Sequence, residues 1–195
     1  MCSIDFAVLA SGAGTNLQAI LDYGVPGLQV VISDVPGARA LERAAEAGIP
    51  TMTVPHTGDR SLFTRNVCDA AGEHGAQALV LAGFMRVLGS EAIDRFPHRI
   101  INIHPSLLPS FPGVNAVAQA LGEGVTVTGV TVHFVDAEVD HGPIIAQRVV
   151  PVLPGDDERT LHARIQKVEH DLFPRVVSSF LKGEVEVEHG RVVWL

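Results

Sequence analysis

Apolar runs of strand length at residues 4–10, 28–33, 51–54 and 77–82 are each followed by a helically spaced segment. Those segments fall at 15–22, 38–47 and 60–73, with a shorter one from Ser90. Parallel neighbours in a sheet need a long crossover between them, and a helix is the usual one. The alternation therefore predicts βαβ units and an α/β fold with a doubly wound, mostly parallel sheet. A fifth run, 99–104, alternates Ile100, Asn102 and His104 with Ile101 and Ile103. Side chains two apart on a strand share a face, so an amide and an imidazole stand together where a buried strand would carry aliphatics.

After Pro105 the rhythm changes. A proline-punctuated loop leads to a helix over 115–122, then to two long β-runs, 127–136 and 143–152. The loop 137–142 is too short for a crossover helix, so these runs pair antiparallel. From residue 154 the chain opens with acidic residues suited to a helix N-terminus. It then carries Leu161, Ile165, Val168, Leu172, Val176 and Phe180 at spacings of three and four. One long helix is predicted, ending at Gly183, and 185–187 with 191–194 form a hairpin around His189 and Gly190. The expectation is a single domain, 1–195, with no internal repeat: residues 1–104 as a nucleotide- or phosphate-binding half, and 105–195 as a second half with an antiparallel extension, the C-terminal helix and the hairpin.

The chain of 195 residues is 47% hydrophobic, which suits one globular core. Its apolar run at 78–84 is far short of the roughly 20 residues of a membrane helix, and no cationic leader precedes the first strand. A cytoplasmic protein with no membrane partner is expected. Cys2 and Cys68 form no CxxC pair and read as reduced thiols. A net charge of -8, with Lys167 and Lys182 as the lysines, argues against a nucleic-acid partner and for small-molecule substrates. An edge strand leaves a homodimer open as a further partner state.

Three stretches carry candidate chemistry. In "VLASGAGTNLQAI", residues 8–20, a strand enters a small glycine loop and then a helix, and the free N–H groups of a helix start suit a phosphate. A dinucleotide site competes: Gly12 and Gly14 fit half of GxGxxG and Asp34 sits where a ribose-binding acid would, but Leu17 stands at the third glycine. A plain tight turn, with Asn16 capping the helix, is the third option. The second stretch is "NIHPSLLPSFPG", 102–113, which brings Asn102 and His104 to the carboxyl end of the sheet, where open α/β sheets bind ligands. The third is "VDAEVDHGPII", 135–145. A sharp turn at Asp140 would aim its carboxylate inward, where it would orient His104 and favour the protonated ring. A metal site built from His104, His133, Asp140 and His141 is the competing view, unsupported by any HxxxH or HxH pair.

These stretches, with "LAGFMRVL" at 81–88 and "RIQKVEH" at 164–170, follow one another as in the phosphoribosylglycinamide formyltransferase (GAR transformylase) family, which the chain resembles over nearly its whole length. "NIHPSLLP" with a downstream Asp-x-Gly-Pro is common to folate-dependent formyltransferases; the glycine loop, "SFPG" and the length point to the purine branch. A methionyl-tRNA formyltransferase would be expected to carry an extra C-terminal domain, and a formyltetrahydrofolate hydrolase an N-terminal regulatory one. The resemblance implies a Rossmann-like formyltransferase fold, with 105–195 as its folate-binding and catalytic half, and transfer of the formyl group of 10-formyltetrahydrofolate to the glycine amine of GAR, without a metal. It implies Asn102, His104 and Asp140 as the catalytic residues. GAR contacts fall on Gly14, Thr15, Asn16, Gln166 and Glu169. Folate contacts fall on Arg60, Met85, Arg86, Val87, Leu88, Asn102, Asp136, Ala137, Glu138, Val139 and Asp140. Departures are Ser110, where a basic residue is frequent, and "VNAVAQAL" after Gly113, without the His and Arg of some members. Without the resemblance, a Glu three residues after Gln166 reads equally well as a solvated side chain.

Overall fold

The computed structural model describes residues 4–195; Cys2 lies outside them. The strands and helices follow in the order β1 (Phe6–Leu9), α1 (Thr15–Tyr23), β2 (Leu28–Ser33), α2 (Arg39–Glu46), β3 (Thr51–Thr53), α3 (Arg60–Glu73), β4 (Ala78–Leu81), α4 (Ser90–Arg95) and β5 (Ile100–His104). Then come α5 (Ala116–Gly122), β6 (Val127–Phe134), β7 (Ile144–Pro151), α6 (Glu158–Leu181), β8 (Val185–Glu188) and β9 (Arg191–Trp194). The sheet runs β3-β2-β1-β4-β5-β6-β7. Its first five strands are parallel, and β6 and β7 join antiparallel, as their short connection demands. The order reverses between β1 and β4, and the carboxyl edge of such a switch point is where open α/β sheets bind ligands.

Alternation along the strands divides the core. Phe6, Val8, Val31, Val80, Ile101, Ile103, Val130 and Val132 pack beneath α1 and α6. Ala7, Leu9, Val30, Ile32, Leu79 and Ile100 pack against α3 and α4. Asn102 and His104, in phase with Ile100, therefore continue the second face.

The helix α6 is the main cover of the first face. Asp157 caps it by accepting from the Thr160 N–H at 2.7 Å, while the Thr160 hydroxyl accepts from the Asp157 N–H at 3.0 Å. Arg164 clamps the preceding turn, donating to both Asp156 oxygens and to the Pro151 carbonyl. The predicted stripe is buried at Leu161, Ile165, Leu172, Val176 and Phe180, and the helix continues through Pro174. Because Ile165 is fully buried and Lys167 is exposed, Ile165→Ala should lower the unfolding free energy by about 3 kcal/mol in urea melts. Lys167→Ala should stay within about 0.5 kcal/mol of the parent.

Candidate active site

The antiparallel register of β5 and β6 sets Asn102 opposite His133 and His104 opposite Thr131. Opposed residues share a face at close range, so two strands deliver four polar side chains to one patch. Thr131 holds the proline loop: its hydroxyl donates to the Ser106 carbonyl (2.7 Å) and accepts from the Leu108 N–H (3.0 Å) and the Gln147 amide (2.9 Å). Ser106 in turn donates to the Ser110 carbonyl. The stiff wall after His104 is therefore pinned to β6 and β7.

Asp140 comes from the loop after β6. That strand ends at Phe134, earlier than the predicted run, so Asp136 lies in the loop rather than in the strand. The loop closes tightly because Phe134 N–H donates to the Pro143 carbonyl, and a Cβ on Gly142 would lie 1.9 Å from the Phe134 carbonyl oxygen. Asp140 itself has φ 53°, a left-handed conformation uncommon for a residue with a Cβ. This is the sharp inward turn the sequence suggested. Its Oδ2 accepts from the Gly113 N–H at 2.8 Å and lies 3.3 Å from His104 Nδ1. Its Oδ1 lies 3.4 Å from Asn102 Nδ2 and 3.6 Å from His133 Nε2.

Burial pushes the Asp140 carboxyl up, but the nearby His133 ring and the Gly113 N–H hydrogen bond, with the charges of His104 and His133, outweigh it. The group is held below the ordinary carboxylate range. His104 Nε2 lies 2.8 Å from the carbonyl oxygen of Phe111, whose φ is 56°. Both ring nitrogens thus face acceptors, and a doubly protonated ring satisfies both. His133 directs Nδ1 to the Phe134 carbonyl at 2.8 Å, which turns Nε2 to Asn102 Nδ2 at 3.2 Å.

Beside this cluster lies the glycine loop. Gly14 has φ 68°, and a Cβ there would meet the Ala40 Cα at 2.7 Å, so glycine is required where the loop abuts α2. Arg43 ties the loop from outside by donating to the Ala13 carbonyl. The cap of α1 is Gly14, with no side-chain hydrogen bond. That corrects the reading of Asn16 as a cap. Its amide instead donates to Glu169 on α6 at 3.0 Å, and its buried Oδ1 has no partner among the described residues. Glu169 is buried, which corrects the solvated alternative, and Gln166 is half-buried one turn before it. Burial raises the Glu169 carboxyl, opposed by the Asn16 hydrogen bond and the charges of His162 and His104. Thr15 opens α1, whose first N–H groups have no partner inside the helix.

Among the expected folate residues, Met85, Arg86, Val87 and Leu88 form the loop after β4, with Met85 67% and Val87 49% exposed. Arg60 is exposed at the first turn of α3. Asp136, Ala137, Glu138 and Val139 line the loop that carries Asp140; Asp136 accepts from the Glu138 N–H and pairs with His141 at 3.0 Å. Asp34, the candidate ribose acid of the dinucleotide alternative, is buried in an ion pair with Arg86 at 2.7 Å. The Asp34 side chain is 1% exposed and so is not presented to a ribose, which counts against that alternative. Among the described residues no three His, Cys, Asp or Glu side chains are grouped as metal ligands would be.

Residue reasoning named His133 only as a ligand in the metal alternative and missed its place beside Asn102 and Asp140, together with the Gly113 N–H and the Phe111 carbonyl. For His133 a signal existed: Thr131 and His133 are the polar alternates of a run whose other residues, Val130, Val132 and Phe134, are apolar.

Residues 4–177 match the family model described as Formyl transferase. A phosphoribosylglycinamide formyltransferase of Mycobacterium tuberculosis (strain CDC 1551 / Oshkosh) is 45% identical over 185 residues, 92% of this chain and 86% of that protein. The solved structure of glycinamide ribonucleotide transformylase 1 from Symbiobacterium toebii superimposes with a TM-score of 0.95 at 45% identity. It covers 99% of this chain and 94% of that one. The trifunctional purine biosynthetic protein adenosine-3 of Bos taurus is 42% identical over 197 residues, 97% of this chain but 20% of that protein's length.

The depressed Asp140 carboxyl has a consequence for stability. Its ionised form favours the fold above the unfolded carboxyl's pKa of about 3.9, and the contribution is lost as pH falls through the lower folded value. The stability gap between the parent and Asp140→Asn should therefore narrow as pH falls from about 5 to below about 4. Urea melts across that range would read it; a gap that widened in acid would contradict the assignment.

Proposed function

The chain belongs to the formyl transferase family, and from that premise we propose that it transfers the formyl group of 10-formyltetrahydrofolate to the glycine amine of 5'-phosphoribosylglycinamide (GAR), yielding formyl-GAR and tetrahydrofolate. The observation that carries this reading is the convergence of Asn102, His104 and Asp140 at the carboxyl end of β5. The family resemblance alone fixes the formyl group as cargo.

The amine lone pair attacks the formyl carbon, the carbonyl electrons move to oxygen, and the tetrahedral intermediate collapses by breaking the bond to N10. Across the sequence the amine loses a proton and N10 gains one. Asn102 donates an amide N–H to the oxyanion. His104, oriented through Nδ1 by Asp140, offers Nε2–H to the same oxygen or passes the proton to N10. That N–H rests on the Phe111 carbonyl, so the reading requires it to change acceptor when substrate arrives. No covalent enzyme intermediate is needed, and holding amine and formyl carbon in register supplies much of the rate.

In this reading the GAR phosphate sits on the N-terminus of α1 at Gly14, Thr15 and Asn16, while Gln166 and Glu169 meet the ribose. The folate occupies the crevice between Met85–Leu88, Arg60 and Asp136–Asp140, with Asn102 at its reactive end. One unit carries both subsites. The partners are two small molecules rather than nucleic acid or membrane, the compartment is the cytoplasm, and a homodimer is the assembly to test by sedimentation. No helix is long and apolar enough to cross a membrane among the described residues.

With 10-formyltetrahydrofolate as donor, the purified chain should formylate GAR and leave methionyl-tRNA untouched; turnover of the tRNA alone, or hydrolysis alone, would sink the assignment. His104→Ala should cut kcat by about 10² to 10³ while the Kd for GAR stays within about twofold. Unchanged turnover would show that another group is the acid.

A further inference from the structure

The loop after β4 leaves the sheet at its switch point and spans to α4; Phe84 is buried against Phe63 and Leu88 packs on the same core, while Met85 and Val87 between them are exposed. Hydroxyl groups fix its backbone at both ends. At the first, the Met85 N–H donates to Ser11 Oγ at 2.8 Å, and the Ser11 N–H donates to the Gly83 carbonyl. At the second, the Gly89 N–H donates to Thr64 Oγ1 at 2.8 Å in a buried contact. Thr64 is fully buried on α3, and its hydroxyl hydrogen is committed to the Arg60 carbonyl at 2.7 Å. The hydroxyl thus joins two segments separated in sequence: the first turn of α3, with Arg60, and the end of the Met85–Leu88 loop. Nearby, Ser61 and Arg65 hold Glu91, which fixes α4 on the same helix face. The bond at Thr64 therefore decides where the loop meets an already anchored helix.

We infer that Thr64 is a positioning residue for the formyl donor: without touching it, the Thr64 hydroxyl sets the backbone of Arg86, Val87 and Leu88 and the Arg60 turn at the spacing the donor's ring system requires. This rests on the proposed folate subsite. The valine isostere removes the acceptor and leaves the buried Gly89 N–H without a partner, and the loop end must then shift to find water. The Asn16–Glu169 contact lies on other elements, and the glycine loop meets the β4 loop at its opposite end, through Ser11 at Gly83 and Met85, rather than at Thr64.

The test compares Thr64→Val, Thr64→Ser and the parent, as the full chain, in steady-state turnover and in hydrogen exchange of the peptide covering 83–90. In Thr64→Val the KM for 10-formyltetrahydrofolate should rise about tenfold, with the KM for GAR and kcat within about twofold, and the 83–90 peptide should exchange faster. Thr64→Ser, which keeps the hydroxyl, should restore both readouts to within about twofold. Equal changes in the two KM values, an unaltered donor KM, or failure of serine to restore it would each overturn the inference. Should Thr64→Val not fold, Thr64→Ala is read by the same criteria. Absence of formyl transfer by the parent would count against the proposed function, whereas the exchange comparison still judges the role of Thr64 in holding the loop.

Discussion

An ionised carboxylate drawn out of water must be matched by donors or it neutralises, and Asp140 is the group around which this site is arranged. Its side chain is 11% exposed, yet it meets the Gly113 N–H, His104, Asn102 and His133. The four partners come from three pieces of chain: the end of the proline loop, β5, which supplies both Asn102 and His104, and β6. The carboxylate therefore joins those pieces electrostatically, and its left-handed backbone is tolerated because Gly142 lets the loop close on Phe134.

The sheet supplies what the carboxylate cannot. Antiparallel addition of β6 beside the parallel β5 gives Asn102 and His104 directly opposed neighbours, His133 and Thr131. Thr131 is spent on anchoring the proline loop, which brings the Phe111 carbonyl to His104 Nε2 and the Gly113 N–H to Asp140. The imidazole is consequently held at both nitrogens. On the other side of the crevice, the glycine loop and α6 meet through Asn16 and the buried Glu169, so the two proposed substrate regions flank one polar patch.

Much of this architecture was legible in the residues. Alternating apolar runs and helical spacings foretell the parallel half because each strand needs a crossover, and the short loop 137–142 foretells the β6–β7 hairpin. The pairing of β5 with β6 was not legible: residues 105–126 separate them, and nothing local sets the register across such a gap. His133 was named only in the metal alternative, and its place opposite Asn102 went unread for that reason. Backbone groups such as the Gly113 N–H leave no mark in a sequence at all. Asp34 had the spacing of a ribose acid, but spacing does not say what stands across the sheet, and there it is Arg86. Glu169 was readable in hindsight from position: four residues after Ile165, it falls on the apolar stripe of α6 and is buried with it.

The central claim is that Asn102 and His104 aim two donors at a single oxygen, with His104 releasing Phe111 to do so. A crystal structure with GAR and a folate analogue bearing an aldehyde hydrate in place of the formyl group tests it directly. One hydrate oxygen should lie about 2.7–3.1 Å from both Asn102 Nδ2 and His104 Nε2, with the Phe111 carbonyl displaced from the ring. An oxygen bound by neither side chain, or His104 still seated on Phe111 with the analogue in place, would contradict the account.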